Sequence, residues 1–394
     1  IYLGPYDSPE SRARYHELIA EWEMSGRVLP PPPETISVAE IARQYLKWAR
    51  TYYVKNGHLT AEPDNITLAL RPMLKLFAKL PACEFGPKRL KLVRQEMVGL
   101  GWSRRYINKH VERIRRMFKW AVADELVPSG AYEALRAVSG LRYGRCGAHD
   151  YPPVQPVPEE LIGPVKRHVA RQVAAMIDLQ LLTGARPGEI VQMRPCDVER
   201  SEAIWTYRPA EHKTQHHGHD RVIFLGPKAQ EVLMPFLLRE AEAFCFSPAE
   251  AERERYAALA ERSPNGGRRV GKNCRTKPAH QPGPCYTVDS YRRAITRGQD
   301  AAFPPPAPLA KRDDETWKKY HARLKPKHKE EIKAWRKEHH WHPHQLRHNY
   351  ATNVRREFGL EAAQVLLGHA KADVTQIYAE RDLHRAAAVA AKIG

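Results

Sequence analysis

Two proline-rich stretches divide the 394-residue chain and limit what it can fold into. The first, "LPPPPE", occupies residues 29–34, and the second, "HDYPPVQPVPEE", occupies residues 149–160. Proline lacks a backbone N–H and fixes φ, so neither stretch can lie within a helix or a central strand. The chain is therefore predicted to form separate domains joined by extended linkers, as expected for its length.

Four segments follow from this division. In residues 1–33 a strand-like "IYLGPY" precedes a helix that Ser8 can cap and Pro9 can begin. So short a piece cannot hold a core, and we expect it to be the remainder of a module that starts upstream. The other segments are a helical domain, a linker, and a mixed α/β domain with insertions around 248–340; their ranges are 34–147, 148–160 and 161–394. The predicted fold class is mainly α with a small β-sheet (α+β).

The charge of the chain favours a polyanionic partner. Its formal net charge is +19, and one helix beginning at Ser103 concentrates cations. That helix has one apolar face, formed by Ile107, Val111, Ile114, Phe118 and Ala121. A charged face is usually just solvated, but six cations with few acids nearby favour contact with a DNA backbone. These six are Arg104, Arg105, Lys109, Arg113, Arg116 and Lys119.

Cysteine usage and hydropathy indicate the compartment. The six cysteines include no CxxC pair, which is typical of a reduced, cytoplasmic protein. No apolar run approaches the ~20 residues that span a bilayer, so no membrane association is expected. Two histidine or cysteine clusters invite a metal interpretation, but neither has a standard zinc spacing and no metal is predicted. They are Cys274, His280 and Cys285, and the histidines at 339, 340, 342 and 344.

Three local patterns place basic and nucleophilic side chains at fixed positions. In "LLTGARPGEIVQMRPCDV", Gly184 ends one helix and Pro187 begins the next, which holds Arg186 at a turn. Glu189 lies three residues later and can orient that guanidinium, whose planar fork matches two phosphate oxygens. In "EHKTQHHGHDRVIFL", two strand-like segments flank a polar tip, so Lys213 would lie on a β-hairpin. A hairpin lysine is usually solvated, but in an active site it could protonate a leaving oxygen.

The third pattern, "HPHQLRHNYATN", predicts a helix beginning near His344. His344 and Arg347 lie one turn apart and can converge on one anion near the helix N-terminus. The predicted buried stripe is Leu346, Tyr350, Val354 and Phe358. Further on, "LLGHAKADVTQIYAERD" places His369 after a glycine and Tyr378 one turn into a short helix.

Together these motifs resemble the tyrosine recombinase, or phage integrase, family over residues 155–394. The ordered set is an arginine, a hairpin lysine, His-x-x-Arg, a histidine and a tyrosine. Residues 34–147 resemble the helical core-binding domain of that family, and residues 1–33 resemble the end of its arm-type DNA-binding module. The resemblance implies that 161–394 is a catalytic domain and that the chain serves a mobile element.

The resemblance implies a role for each matching residue. Arg186 and Arg347 would clamp the scissile phosphate, and Tyr378 would be the nucleophile. Lys213 would be the general acid. His344 and His369 would form hydrogen bonds to the non-bridging oxygens or transfer protons. Glu189 and His348 would support the catalytic side chains without contacting the phosphate. The long stretch between Lys213 and His344, and the histidine-rich hairpin tip, depart from the compact members of the family.

The resemblance also implies partners. They are double-stranded DNA carrying a recombination site and a homo-tetramer formed on synapsed DNA, with the C-terminal tail "ERDLHRAAAVAAKIG" docked on a neighbouring subunit. No cofactor is implied, because a phosphotyrosine linkage keeps the energy of the broken strand. Location in the cytoplasm, on the nucleoid, is expected.

Three alternatives stay open. A type IB topoisomerase resembles this family in its catalytic set but relaxes supercoils as a monomer. A DNA-binding protein without catalysis is disfavoured, because all six expected catalytic positions are filled. A metal-dependent nuclease would need a carboxylate cluster for two-metal chemistry, which the sequence lacks.

Overall fold

A computed structural model describes residues 3–24, 36–55, 57–210, 221–261, 281–312 and 314–368. The chain divides into two units, residues 1–152 and 153–394. Both are mainly helical with small antiparallel sheets, which confirms the predicted α+β fold class of the chain. No helix in the described ranges is long and apolar enough to cross a membrane.

The first unit is built from six helices and one short hairpin in its described residues. Their bounds are α1 Pro9–Met24, α2 Val38–Tyr52, β1 Val54–Lys55, β2 His58–Leu59, α3 Glu62–Phe77, α4 Pro87–Gly99, α5 Arg104–Ala123 and α6 Ser129–Arg136, with a 3-10 turn at Ala82–Glu84. The Ser8 hydroxyl caps α1 by accepting from the Ser11 N–H at 3.1 Å. Residues 3–8 contain no strand, contrary to the strand-like interpretation of "IYLGPY".

Three helices of the first unit, α1, α2 and α5, begin where the sequence predicts. Ser37 and Glu40 form the reciprocal capping box of α2, which satisfies two N–H groups at the helix start. The predicted apolar face of α5 is confirmed, because all five of its residues are buried in the core of this unit. The β1–β2 hairpin corrects the expectation that 34–147 is entirely helical: Val54 pairs with Leu59 and Lys55 with His58. Strands of two residues carry no periodicity that a sequence could reveal.

The core of the first unit encloses His110, which is fully buried on α5. Its ring lies edge-on to Tyr106, with centroids 4.0 Å apart, and 5.0 Å from the Trp102 ring. Neither ring nitrogen has a hydrogen-bond partner among the described residues. Burial, and then the charge of Arg113, lower the pKa of His110 to about 4. The imidazole is therefore held neutral at physiological pH.

This histidine should make the first unit sensitive to acid. Unfolded histidine has a pKa of about 6.5, so the unfolded chain takes up the proton first as the pH falls. The stability that neutral His110 contributes is present above that pH and is lost progressively towards about pH 4. We expect His110→Phe to flatten the pH dependence of the urea midpoint of the full chain, whereas His58→Phe, at an exposed site, leaves it unchanged. If wild type and His110→Phe were equally sensitive to acid, His110 would not be the cause of the acid sensitivity.

The second unit has a three-stranded sheet among helices. Its described elements are α7 Glu159–Lys166, α8 Arg171–Thr183, α9 Pro187–Val191, β3 Val198–Glu199, β4 Trp205–Tyr207, β5 Ile223–Leu225, α10 Pro227–Leu237, α11 Pro248–Glu261, α12 Val288–Ala302, α13 Trp317–Arg323, α14 Pro326–His339, α15 Pro343–Phe358 and α16 Leu360–Leu367, with a 3-10 turn at Pro195–Asp197. The sheet order is β3–β4–β5, antiparallel throughout.

Helix α15 is held by polar and apolar contacts on different sides. The Asn349 side chain accepts from the Val157 N–H at 2.7 Å and donates to the Val157 carbonyl at 2.6 Å. Gln345 donates to the Gln155 carbonyl, so this part of the proline-rich stretch lies against α15. The predicted apolar stripe ends early: Leu346 and Val354 are buried, but Phe358 is 65% exposed. Phe358 is the last residue of α15, and its side chain projects beyond the core before Gly359 turns the chain.

Candidate active site

The turn between α8 and α9 fixes Arg186. Helix α8 ends at Gly184, which adopts the left-handed conformation with φ 64°, and Arg186 is the N-cap of α9. A Cβ at residue 184 would lie 2.3 Å from Cδ1 of Tyr350, so the packing as well as the backbone requires glycine there. Pro187 occupies the first position of α9, as predicted.

Glu189 orients Arg186 through two contacts. Its carboxylate accepts from the Arg186 backbone N–H at 2.8 Å and from Nη1 of the same residue at 2.7 Å. The Tyr207 hydroxyl on β4 donates to the Glu189 carbonyl and so attaches α9 to the sheet. Burial alone would raise the pKa of Glu189, but the cations Arg221 and Arg186 outweigh burial and hold that pKa below its usual value. The buried carboxylate therefore stays charged.

Arg221 is a second cation at this carboxylate, and sequence reasoning missed it. Its side chain is 4% exposed, and Nε lies 3.4 Å from the Glu189 oxygen that Arg186 also contacts. Nη1 donates to the Leu366 carbonyl at 3.2 Å, in the last turn of α16. The one sequence signal was an arginine two residues before strand β5. Arg221 thus connects the Arg186 turn to the end of α16.

Arg347 is fully buried on α15 and bridges the ends of two helices. Nη1 donates to the Gly184 carbonyl at 2.5 Å, and Nη2 donates to the Leu367 carbonyl at 2.8 Å. Both acceptors lie at helix C-termini, where the macrodipole favours a cation. The same residue therefore fixes the Arg186 turn and the chain just before residue 369.

His344 and His348 lie one turn apart near the N-terminus of α15, with ring centroids 6.1 Å apart. His344 is half-buried and His348 is buried. Burial first, and then repulsion by Arg347 and His348, lower the pKa of His344 to about 4. Its imidazole is therefore neutral near pH 7 and can accept or share a proton.

The structure brings part of the predicted catalytic set together. Arg186, Arg347 and His344 are mutually close, since both arginines act on the His344 charge and Arg347 contacts the turn before Arg186. Lys213, His369 and Tyr378 lie outside the described residues. Strands β4 and β5, which flank the segment containing Lys213, are paired antiparallel as the hairpin requires. Gly368, the C-cap of α16, directly precedes His369.

The six cations predicted to contact DNA fall into two groups. Arg113 and Arg116 both pair with Glu62, and Arg104 pairs with Asp150 at 2.9 Å. These three guanidiniums stabilise the first unit internally, a use that the prediction did not foresee. The remaining three are exposed on α5 and form no ion pair within the described ranges; they are Arg105, Lys109 and Lys119. Contact with DNA stays a prediction and is best supported for this second group.

Comparison with known proteins bears on the motif region directly. The family model described as "Phage integrase family" matches residues 309–385. This range contains His344, Arg347, His369 and Tyr378. This part of the chain matches the phage integrase family.

Curated relatives match this chain over a short segment. Tyrosine recombinase XerC of Yersinia pestis is 49% identical over 51 residues, which are 13% of this chain and 17% of that protein. Tyrosine recombinase XerC of Escherichia coli (strain K12 / DH10B) is 47% identical over 51 residues, with the same coverage. The matched segment thus spans about a sixth of the length of these relatives.

Solved structures match over most of the chain at low identity. A Tn1549 transposon integrase in complex with a circular intermediate DNA has a TM-score of 0.55 and 14% identity, covering 91% of this chain and 100% of that one. A lambda integrase dimer bound to a COC′ core site has a TM-score of 0.50 and 13% identity, covering 94% and 87%. A lambda integrase tetramer bound to a Holliday junction has a TM-score of 0.50 and 13% identity, covering 97% and 90%. These likenesses show the tyrosine recombinase fold.

Groups of three or more His, Cys, Asp or Glu side chains able to hold a metal do not occur in the described part of the chain. Cys274 and His280 lie outside it, and His339, His340, His342 and His344 form no such group.

Proposed function

We propose that the whole chain is a phage integrase, that is, a site-specific DNA recombinase that cleaves and rejoins strands through a 3′-phosphotyrosine intermediate and serves a mobile element. The observation that carries the proposal is the arginine pair: Arg186 and Arg347 are held by Glu189, Gly184 and Leu367 before any substrate arrives. A preorganised pair of guanidiniums is what a phosphodiester, which repels nucleophiles, requires.

The proposed reaction conserves the bond energy of the strand. The Tyr378 oxygen attacks phosphorus, the P–O5′ bond breaks, and Lys213 supplies the proton that the 5′ oxygen takes up. The tyrosine proton needs an acceptor, and His344 is neutral and able to take it. Arg186 and Arg347 neutralise the charge that builds on the non-bridging oxygens, with His369 as a further donor. Attack by a 5′ hydroxyl on the phosphotyrosine reverses these steps, so rejoining needs no ATP.

The proposed partners follow from this chemistry. Strand exchange between two duplexes needs four active subunits, and the fold likeness to the lambda integrase tetramer supports that number. The C-terminal tail would dock on a neighbouring subunit. Residues 34–147 and the catalytic domain would both contact the duplex, with linker 148–160 between them and residues 1–33 as part of an arm-type module.

The proposal predicts a covalent protein–DNA complex. Nicked duplexes tiled across the DNA that flanks the gene should trap the protein on one of them, because the short strand beyond the cut diffuses away and prevents rejoining. We expect the complex to survive boiling in detergent and to form in the presence of EDTA. Cutting that needs a divalent metal and leaves no adduct would refute the proposed chemistry. Relaxation of supercoils without strand exchange between two sites would favour the topoisomerase alternative.

A further inference from the structure

We propose that helix α14 carries a second DNA-contacting surface, a lysine face formed by Lys325, Lys329, Lys333 and Lys337. The inference rests on the proposed function, since it names DNA as the partner. The four lysines are spaced four residues apart, from the residue before α14 to its last turn, and all are exposed. Residues at this spacing lie along one side of a helix.

Charge is segregated around α14. The side facing the protein carries His328, Ile332, Trp335 and His339, all buried or half-buried. Glu331 and Glu338 occupy the opposite flank from the lysine face, together with Lys327, whereas Glu330 borders the lysine face beside Lys333. A helix charged only for solubility usually mixes signs along each face so that neighbours pair.

The lysine face is poorly neutralised. Among the described residues only Lys333 has a carboxylate within ion-pair distance, Glu330 at 3.6 Å, and the Lys333 side chain is still 79% exposed. Lysines four residues apart repel one another and destabilise an isolated helix. The arrangement is therefore unfavourable for α14 alone and is relieved when an extended anion lies along it.

Other contacts hold α14 in place, so the face is fixed before binding. Arg336 contacts Asp300 on α12 at 2.9 Å, and Trp335 Nε1 donates to the Phe303 carbonyl at 3.1 Å. At the other end Ile332 packs with Tyr320 and Leu324 in a small separate core. A surface held in this way loses little conformational freedom on binding.

The dimensions fit a duplex. From Lys325 to Lys337 the helix rises about 18 Å, at 1.5 Å per residue. Phosphates recur about every 3.4 Å of axial rise along each strand, so the face matches about five base pairs. Lysine side chains act as point charges and carry no base specificity, so the contact is expected to be independent of sequence.

A random-sequence duplex therefore tests the surface without knowledge of the recombination site. The variant Lys329→Gln/Lys333→Gln/Lys337→Gln of the full chain should lower the steepness of log K against log [salt] by about 2 to 3, because each phosphate contact contributes about 0.9. Lys329→Arg/Lys333→Arg/Lys337→Arg should keep the wild-type slope, which shows that charge, and not folding, is responsible.

The matched control removes two charges from the other flank of α14. If the helix acts only through the overall charge, Glu331→Gln/Glu338→Gln should strengthen binding, charge for charge, as much as the lysine variant weakens it. If the lysine face contacts DNA, the control changes binding little. If the lysine-to-glutamine variant keeps the wild-type slope of log K against log [salt], the inference is wrong. It is also wrong if the variant loses self-association but keeps its affinity for DNA. The covalent adduct of the wild type is measured separately, so failure of the proposed reaction is distinguishable from failure of this surface.

Discussion

Replacing Tyr378 with phenylalanine is expected to abolish the covalent protein–DNA complex while leaving the fold and the DNA affinity unchanged. The substitution removes one oxygen, the atom that would bond to phosphorus, and no group is left to attack. The fold should persist, because phenylalanine keeps the ring. The measurement is adduct formation on the trapping duplex, followed by peptide mapping of the wild-type complex to Tyr378.

The other tyrosines of the second unit provide the control. The Tyr291 hydroxyl is buried and donates to Gln180 at 3.0 Å, and the Tyr320 hydroxyl donates to the Leu309 carbonyl at 3.1 Å. Burial raises the pKa of Tyr286 to about 12 and also raises the pKa of Tyr350, which makes both poor nucleophiles. Tyr350→Phe is the matched variant, since it keeps the ring that packs against Gly184, and it should still form the adduct. An adduct that persists in Tyr378→Phe would overturn the assignment of the nucleophile.

Replacing Arg347 with alanine is expected to abolish cleavage and also to destabilise the second unit. The variant leaves the Gly184 and Leu367 carbonyls without their donor and opens a cavity where a fully buried side chain stood. Losses of this kind lower the free energy of unfolding by about 3 kcal/mol. In the active enzyme, loss of one transition-state donor typically lowers the rate by about 10² to 10³ or more. Urea unfolding and single-turnover cleavage measure the two effects separately.

Two variants separate the chemical effect from the structural one. Arg347→Lys keeps a buried cation but cannot reach two acceptors and a phosphate together, so we expect a folded protein with little cleavage. Arg356→Ala, on the exposed side of the same helix, should change neither quantity. Full cleavage by Arg347→Lys would show that charge alone suffices and that the bridging geometry has no catalytic role.

Local chemistry explains what the sequence could predict about the site. The left-handed Gly184 and the first-position Pro187 follow from backbone restrictions of single residues, so the turn that holds Arg186 was predictable. The Arg186–Glu189 contact spans three residues and was predictable for the same reason. The apolar face of α5 follows from helical periodicity.

Contacts between distant parts of the chain were not predictable. Arg113 contacts Glu62, which is 51 positions away in the sequence, and Arg104 contacts Asp150, which is 46 positions away. No local sequence pattern therefore shows that these cations are already paired. Arg221 escaped notice because its acceptor, the Leu366 carbonyl, is a backbone group and leaves no mark in the sequence. Helical periodicity predicts an apolar stripe along a whole helix but does not show where the core ends. For this reason Phe358 was predicted to be buried, although it is exposed.

The last turn of α16 supplies one acceptor to Arg221 and another to Arg347. If that helix end moved away, two buried guanidinium groups would each lose an acceptor: Arg221 beside Glu189 and Arg347 beside Gly184. The displacement of α16 and the release of Arg221 and Arg347 from their acceptors would therefore occur together. The chain beyond Gly368 starts from the same turn. Under the proposed mechanism, a shift at the start of the segment that carries Tyr378 would therefore also release the two arginines.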